Sequence, residues 1–62
     1  MSPLVYIHKV RLDNAKELLL NTALTVETIS EKVGLSNSVA LTRLFKKYEG
    51  TTPAVYRKRN RR

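Results

Sequence analysis

Cysteine and tryptophan are absent from this 62-residue chain, and histidine occurs once, at His8. Without cysteine there is no disulfide. A lone histidine cannot assemble a zinc site, which takes about four Cys, His, Asp or Glu ligands. Small folds often rely on such staples, so this one is expected to hold by apolar packing, with no metal and no cofactor. No apolar run approaches the ~20 residues needed to cross a bilayer, and no signal-peptide pattern follows Met1-Ser2-Pro3. The expected setting is soluble, cytoplasmic and reducing. Acidic residues are few, and Asp13, Glu17, Glu27, Glu31 and Glu49 show no pairing at active-site spacing. There is no glycine-rich phosphate loop and no catalytic partner for His8, which reads as a plain helix-surface histidine. No enzyme is expected.

What is abundant is positive charge. Twelve Lys and Arg against five Asp and Glu leave a formal charge of +7. A domain this small and basic is usually matched to a polyanion. The plainer alternative is a solubilising surface, and charge by itself does not choose among DNA, RNA and anionic lipid.

No strand pattern occurs, whereas three helices are legible. The first is expected over 3–21, with Ser2 as cap and Pro3 at the first helical position. Val5, Leu12, Ala15 and Leu19 recur at helical spacing, with Leu4, Ile7 and Leu18 widening the stripe, and the end after Asn21-Thr22 reads as loose. The second covers 26–33, with Thr25 as N-cap, Ile29 and Val33 inward, small Ser30 leaving room for a crossing helix, and Gly34 as stop. The third covers 37–48, capped by Ser36 or Asn37. Leu41, Leu44, Phe45 and Tyr48 fall at i, i+3, i+4 and i+7, a core stripe, and Gly50 closes it. Thr52-Pro53 then opens a short helical turn in a basic tail over 53–62, which reads equally as a phosphate clamp, a localisation-like run or disorder.

Ser2-Pro3-x-Val5-Tyr6 with Arg11 reappears 50 residues later as Thr52-Pro53-x-Val55-Tyr56 with Arg61. A tandem array of three-helix units would leave such an echo, and so would chance.

A short helix, a glycine turn and a longer helix with a polar outer face make a helix-turn-helix layout. The predicted fold is all-α: a three-helix, homeodomain-like bundle plus the C-terminal turn. In that layout the third helix enters the major groove of double-stranded DNA, about 12 Å wide. With the core stripe inward, its outer side presents Ser36, Val39, Ala40, Thr42, Arg43, Lys46 and Lys47. The first half offers short groups and one arginine able to fork onto guanine, and Val39 suits a thymine methyl. Lys46 and Lys47 suit phosphates, and the first-turn N–H groups with Ser36 and Asn37 could hold another.

At these residues a family resemblance becomes specific. Ser2-Pro3-x-x-Tyr6-Ile7-x-x-x-Arg11-Leu12-x-x-Ala15-x-x-Leu18-Leu19 resembles the linker helix of AraC/XylS-family regulators. Thr25-x-x-x-Ile29-x-x-x-Val33-Gly34-Leu35 resembles that family's second helix-turn-helix. Leu41-Thr42-Arg43-x-Phe45-Lys46-Lys47-Tyr48-x-Gly50-x-Thr52-Pro53-x-x-Tyr56-Arg57 resembles its closing signature. The resemblance implies bacterial transcription regulation and base contacts at Ser38, Val39, Thr42 and Arg43; the expected phosphate contacts are Ser36, Asn37, Lys46, Lys47 and Arg57. It also implies a first helix-turn-helix unit, a sensor or dimerising domain and, in many activators, a contact with RNA polymerase. Because that first unit is missing upstream, the chain is expected to be a fragment of a longer regulator or an unusual short protein. Leu35 stands where the family has an aromatic, Ser30 where it has alanine, and Ala40 where a bulky aromatic is common.

The competing reading is a protein-interaction module with incidental charge. RNA binding lacks an aromatic-rich sheet or a GXXG loop.

Overall fold

Two Ser/Thr-Pro pairs start two of the four helices among the described residues in the same way. A computed structural model describes residues 2–60, in the order α1 (Pro3–Asn21), α2 (Val26–Lys32), α3 (Ser38–Glu49) and α4 (Pro53–Asn60). The Val5 N–H donates to Ser2 Oγ at 3.2 Å, and the Val55 N–H donates to Thr52 Oγ1 at the same distance. In each case the hydroxyl satisfies a backbone donor that the first turn leaves open, and proline takes the position where no N–H is missed. The sequence echo is thus, in structure, a shared helix start. Its Arg61 position, like the Arg61-Arg62 end of the basic tail, lies outside the described residues.

The core gathers Leu12, Ala15 and Leu19 from α1, Ile29 and Val33 from α2 and its cap, and Leu41 and Phe45 from α3. Leu18, Leu24, Val26, Leu35, Leu44, Tyr48 and Tyr56 pack around it. The Tyr56 ring stands edge-on to Phe45, with centroids 5.4 Å apart and planes at 66°, a favoured aromatic geometry. Ser30 is fully buried, and its hydroxyl donates to the Glu27 carbonyl at 2.6 Å. A polar group in the core is tolerable once bonded in this way.

Four expectations need correcting. Leu4 and Ile7 do not widen the core stripe, for they are 61% and 44% exposed. The buried residues of α1 begin only at Leu12, so the first turns of the helix extend past the elements that cover its later part. His8 is not a plain surface residue: its Nδ1 is buried without a hydrogen-bond partner, and its ring meets Tyr48 edge-on at 6.2 Å. The C-terminal turn is a helix of 8 residues running to Asn60. Finally, α1 does not end loosely. Thr22 donates its N–H and its hydroxyl to the Leu18 carbonyl, and Arg57 reaches back from α4 to complete the end.

Arg57 is the long-range tie of the fold. Its Nε donates to the Leu19 carbonyl at 2.9 Å, and its Nη2 donates to the Thr22 and Leu24 carbonyls at 3.3 and 2.6 Å. A helix C-terminus exposes carbonyls and carries partial negative charge, so a guanidinium fork suits it on both counts. The same end of the molecule carries the Lys16 Nζ–Glu49 Oε2 ion pair at 2.8 Å, linking α1 to α3. The hydrogen bond to Glu49 raises the lysine above its ordinary pKa, against a smaller opposing effect of burial.

Arg57→Ala strips three partly buried carbonyls of a charged donor and should destabilise the chain by about 2–3 kcal/mol. Arg57→Lys should recover only part of that, because an ammonium cannot fork across three acceptors. Gly50 ends α3 at φ +74° with open space where a Cβ would stand. Gly50→Ala should therefore cost about 1–2 kcal/mol through backbone strain alone. Urea unfolding followed by circular dichroism measures all three.

Candidate nucleic-acid interface

The junction between α2 and α3 sets how α3 is presented. Val33 ends α2, and Gly34 follows at φ +90°, a conformation that glycine adopts readily. The Gly34 N–H donates to the Glu31 carbonyl at 3.1 Å and the Leu35 N–H to the Ser30 carbonyl at 2.8 Å. This pair of bonds is the Schellman arrangement, which closes a helix and reverses the chain tightly. The Arg11 guanidinium lies over the turn, 3.5 Å from where a Gly34 side chain would begin. A side chain at Gly34 would strain the backbone, while meeting Arg11 only at ordinary contact distance.

Asn37, not Ser36, caps α3: its Oδ1 accepts from the Ala40 N–H at 3.0 Å. The Ser38 N–H donates across to α2, to Glu27 Oε2 at 3.2 Å. Two first-turn donors are therefore already engaged within the protein. This weakens the expectation that they, with Asn37, hold a phosphate, because an anion binds a helix start through such open donors.

With Leu41 and Phe45 buried, the other side of α3 faces solvent. Val39 is 55% exposed. Arg43, Lys46 and Lys47 are exposed, and Ser38, Ala40 and Thr42 are half-buried beside them. Lys47 Nζ lies 5.5 Å from the centroid of the Tyr48 ring, a cation–π distance. Arg43 makes no hydrogen bond or ion pair among the described residues. The acidic residue of α3, Glu49, is paired with Lys16, so the outer face of the helix carries cations only. Ser36 is exposed just ahead of α3.

Ser38, Val39, Thr42 and Arg43 thus lie on one helix within two turns, with Lys46 and Lys47 continuing the same element. Arg57 does not join them. Its Nε and Nη2 donate to carbonyls at the end of α1, a structural role that the sequence reading did not assign. Sequence reading missed Glu27, whose role depends on a contact 11 residues along the chain. The available signal was an acidic side chain in the first turn of α2.

The surface holds donors, hydroxyls and one apolar side chain. Among the described residues no cluster of His, Cys, Asp or Glu could hold a metal, and no helix is long and apolar enough to cross a membrane.

Comparison with known proteins agrees with this geometry. The family model of a helix-turn-helix domain matches residues 1–59. The raffinose operon transcriptional regulatory protein RafR of Pediococcus pentosaceus is 37% identical over 57 residues, covering 92% of this chain and 21% of RafR. The C-terminal domain of AraT, a response regulator from Geobacillus stearothermophilus, superposes with a TM-score of 0.96 at 34% identity, covering all of this chain and 51% of that one. The DNA-binding domain of AdpA, a global transcriptional factor solved in complex with a target DNA, superposes with a TM-score of 0.90 at 29% identity, over 95% and 53% of the two chains. The chain spans about a fifth of the length of RafR and of the Msm operon regulatory protein of Streptococcus mutans. Helix order, turn and matched family together make this chain a member of the AraC-type helix-turn-helix family of transcription regulators.

Proposed function

We propose that this chain binds double-stranded DNA sequence-specifically, with α3 in the major groove, as part of a transcription regulator. Binding, not catalysis, is the activity assigned. The observation that carries this reading is the solvent face of α3, where exposed Val39 and unengaged Arg43 stand in line with Lys46 and Lys47. Such a face has an apolar group for a thymine methyl, a fork for guanine and point charges for phosphates. The fold shared with a domain solved on its target DNA supports it. In this reading Ser38, Val39, Thr42 and Arg43 meet base edges, while Lys46 and Lys47 meet the backbone.

We further read the start of α1 as the seat of a preceding helix-turn-helix unit in the whole regulator. Tyr56 in α4 rests against Phe45, whereas Tyr6, its counterpart in the echo, is 62% exposed beside Leu4 and Ile7. An equivalent unit packed there would cover all three. A sensor domain and a contact with RNA polymerase belong to the same reading of the whole protein.

Salt dependence is the first test. Neutralising three or four phosphates gives a slope of log K against log salt of about −3, measured by fluorescence anisotropy on duplex DNA. A flat response would instead favour a protein-interaction module. Arg43→Ala should cost ~1–3 kcal/mol on the preferred duplex and relax choice at one base pair, whereas Lys47→Ala should weaken all sequences alike. In an NMR titration with duplex, the amides of residues 36–43 should shift most; if another surface responds instead, the reading fails.

A further inference from the structure

Glu27 is the acidic side chain that another helix brings to the start of α3. Its Oε2 accepts the Ser38 N–H at 3.2 Å, while its backbone carbonyl accepts the hydroxyl of buried Ser30 at 2.6 Å. The side chain thus bonds across to α3, while the carbonyl bond stays within α2. The first turn of a helix carries about half a positive charge and attracts anions. Here the anion is the protein's own carboxylate. Glu27 is nevertheless exposed, so its negative charge is felt at the surface beside Ser38 and Val39.

We propose that Glu27 is a specificity-determining residue: its carboxylate occupies the anion-binding start of α3, ties that start to α2, and repels a DNA phosphate from it. The inference rests on the DNA-binding reading above. Its consequence is a difference between two modes of contact. A phosphate docking at the start of α3 would have to displace, or lie against, a like charge. Base edges reached by Val39, Thr42 and Arg43 carry no such charge. The carboxylate therefore penalises backbone-only binding more than groove insertion, giving up affinity for discrimination. A repulsive element of this kind is invisible to a search for cations, and it opposes the +7 net charge at the one place where indiscriminate attraction would do most harm.

The test compares the 62-residue chain with Glu27→Gln, Glu27→Asp and Glu27→Ala. Anisotropy is measured from 50 to 200 mM salt on a random duplex and on a duplex selected from a randomised pool. Glu27→Gln keeps an acceptor for the Ser38 N–H and removes the charge. It should bind the random duplex more tightly at low salt and reduce the selected-to-random ratio. Its salt slope should steepen by up to about 0.9, so that it loses roughly three- to fourfold more affinity across that window than the parent. Glu27→Asp should keep the parental slope. A Glu27→Gln protein with parental slope and ratio overturns the proposal. So does one weakened on both duplexes at unchanged slope, which would reduce Glu27 to a strut. If Glu27→Ala fails to show a cooperative melt, the glutamine variant still carries the comparison. Failure of the parent chain to bind any duplex would strike the DNA-binding reading itself, whereas normal parental binding with an unaltered glutamine variant strikes this inference alone.

Discussion

The burial of Phe45 is the constraint on which the rest of the structure depends. Its ring is fully enclosed, with Tyr56 of α4 against its edge and the apolar residues of α1 and α2 in the same cluster. A buried aromatic of this size fixes the rotation of its helix, because any turn about the helix axis would return a large apolar area to water. With Phe45 and Leu41 locked inward, Val39 and Arg43 have no choice of side. The orientation of the reading face is therefore a product of core packing.

A core this small leaves little stability in reserve. The chain adds to it through side chains that satisfy backbone groups at helix ends: Ser2, Thr25, Asn37 and Thr52 at helix starts, and Arg57 at the end of α1. Each acts on a donor or acceptor that helix geometry leaves open. These contacts matter the more because the chain, having no cysteine, can form no disulfide. Arg57 differs from the others in range, since it connects the last helix to the carbonyls that precede α2.

Much of this was legible from local pattern. The limits of α1 follow from Ser2-Pro3 and from the loss of periodicity after Asn21, and those of α2 and α3 fall within a residue of expectation because Gly34, Asn37 and Gly50 punctuate the chain. The outward placement of Val39 and Arg43 follows from the i, i+3, i+4, i+7 stripe. What escaped reading depends on neighbours distant in sequence. Periodicity marks Leu4 and Ile7 as core-like because it cannot register where the covering helices stop. The structural roles of Arg57, read as a phosphate contact, and of Glu27, read as an unpaired acid, were hidden because their partners lie 33 to 38 and 11 residues away. The helical extent of α4 escaped for the same reason, since its basic composition by itself suggests a tail.

One feature of α1 has a mechanical meaning. Between Pro3 and Asn21 the helix contains neither glycine nor a second proline, so nothing in it invites a bend. Over 19 residues such a rod spans about 28 Å. Whatever rides on its opening turns is held at a set separation and angular phase from α3, as two teeth are held on one shaft. One extra residue in its middle would advance that phase by about 100° while lengthening the rod by only about 1.5 Å. Tolerance of α1 to length change is therefore governed by rotation far more than by distance.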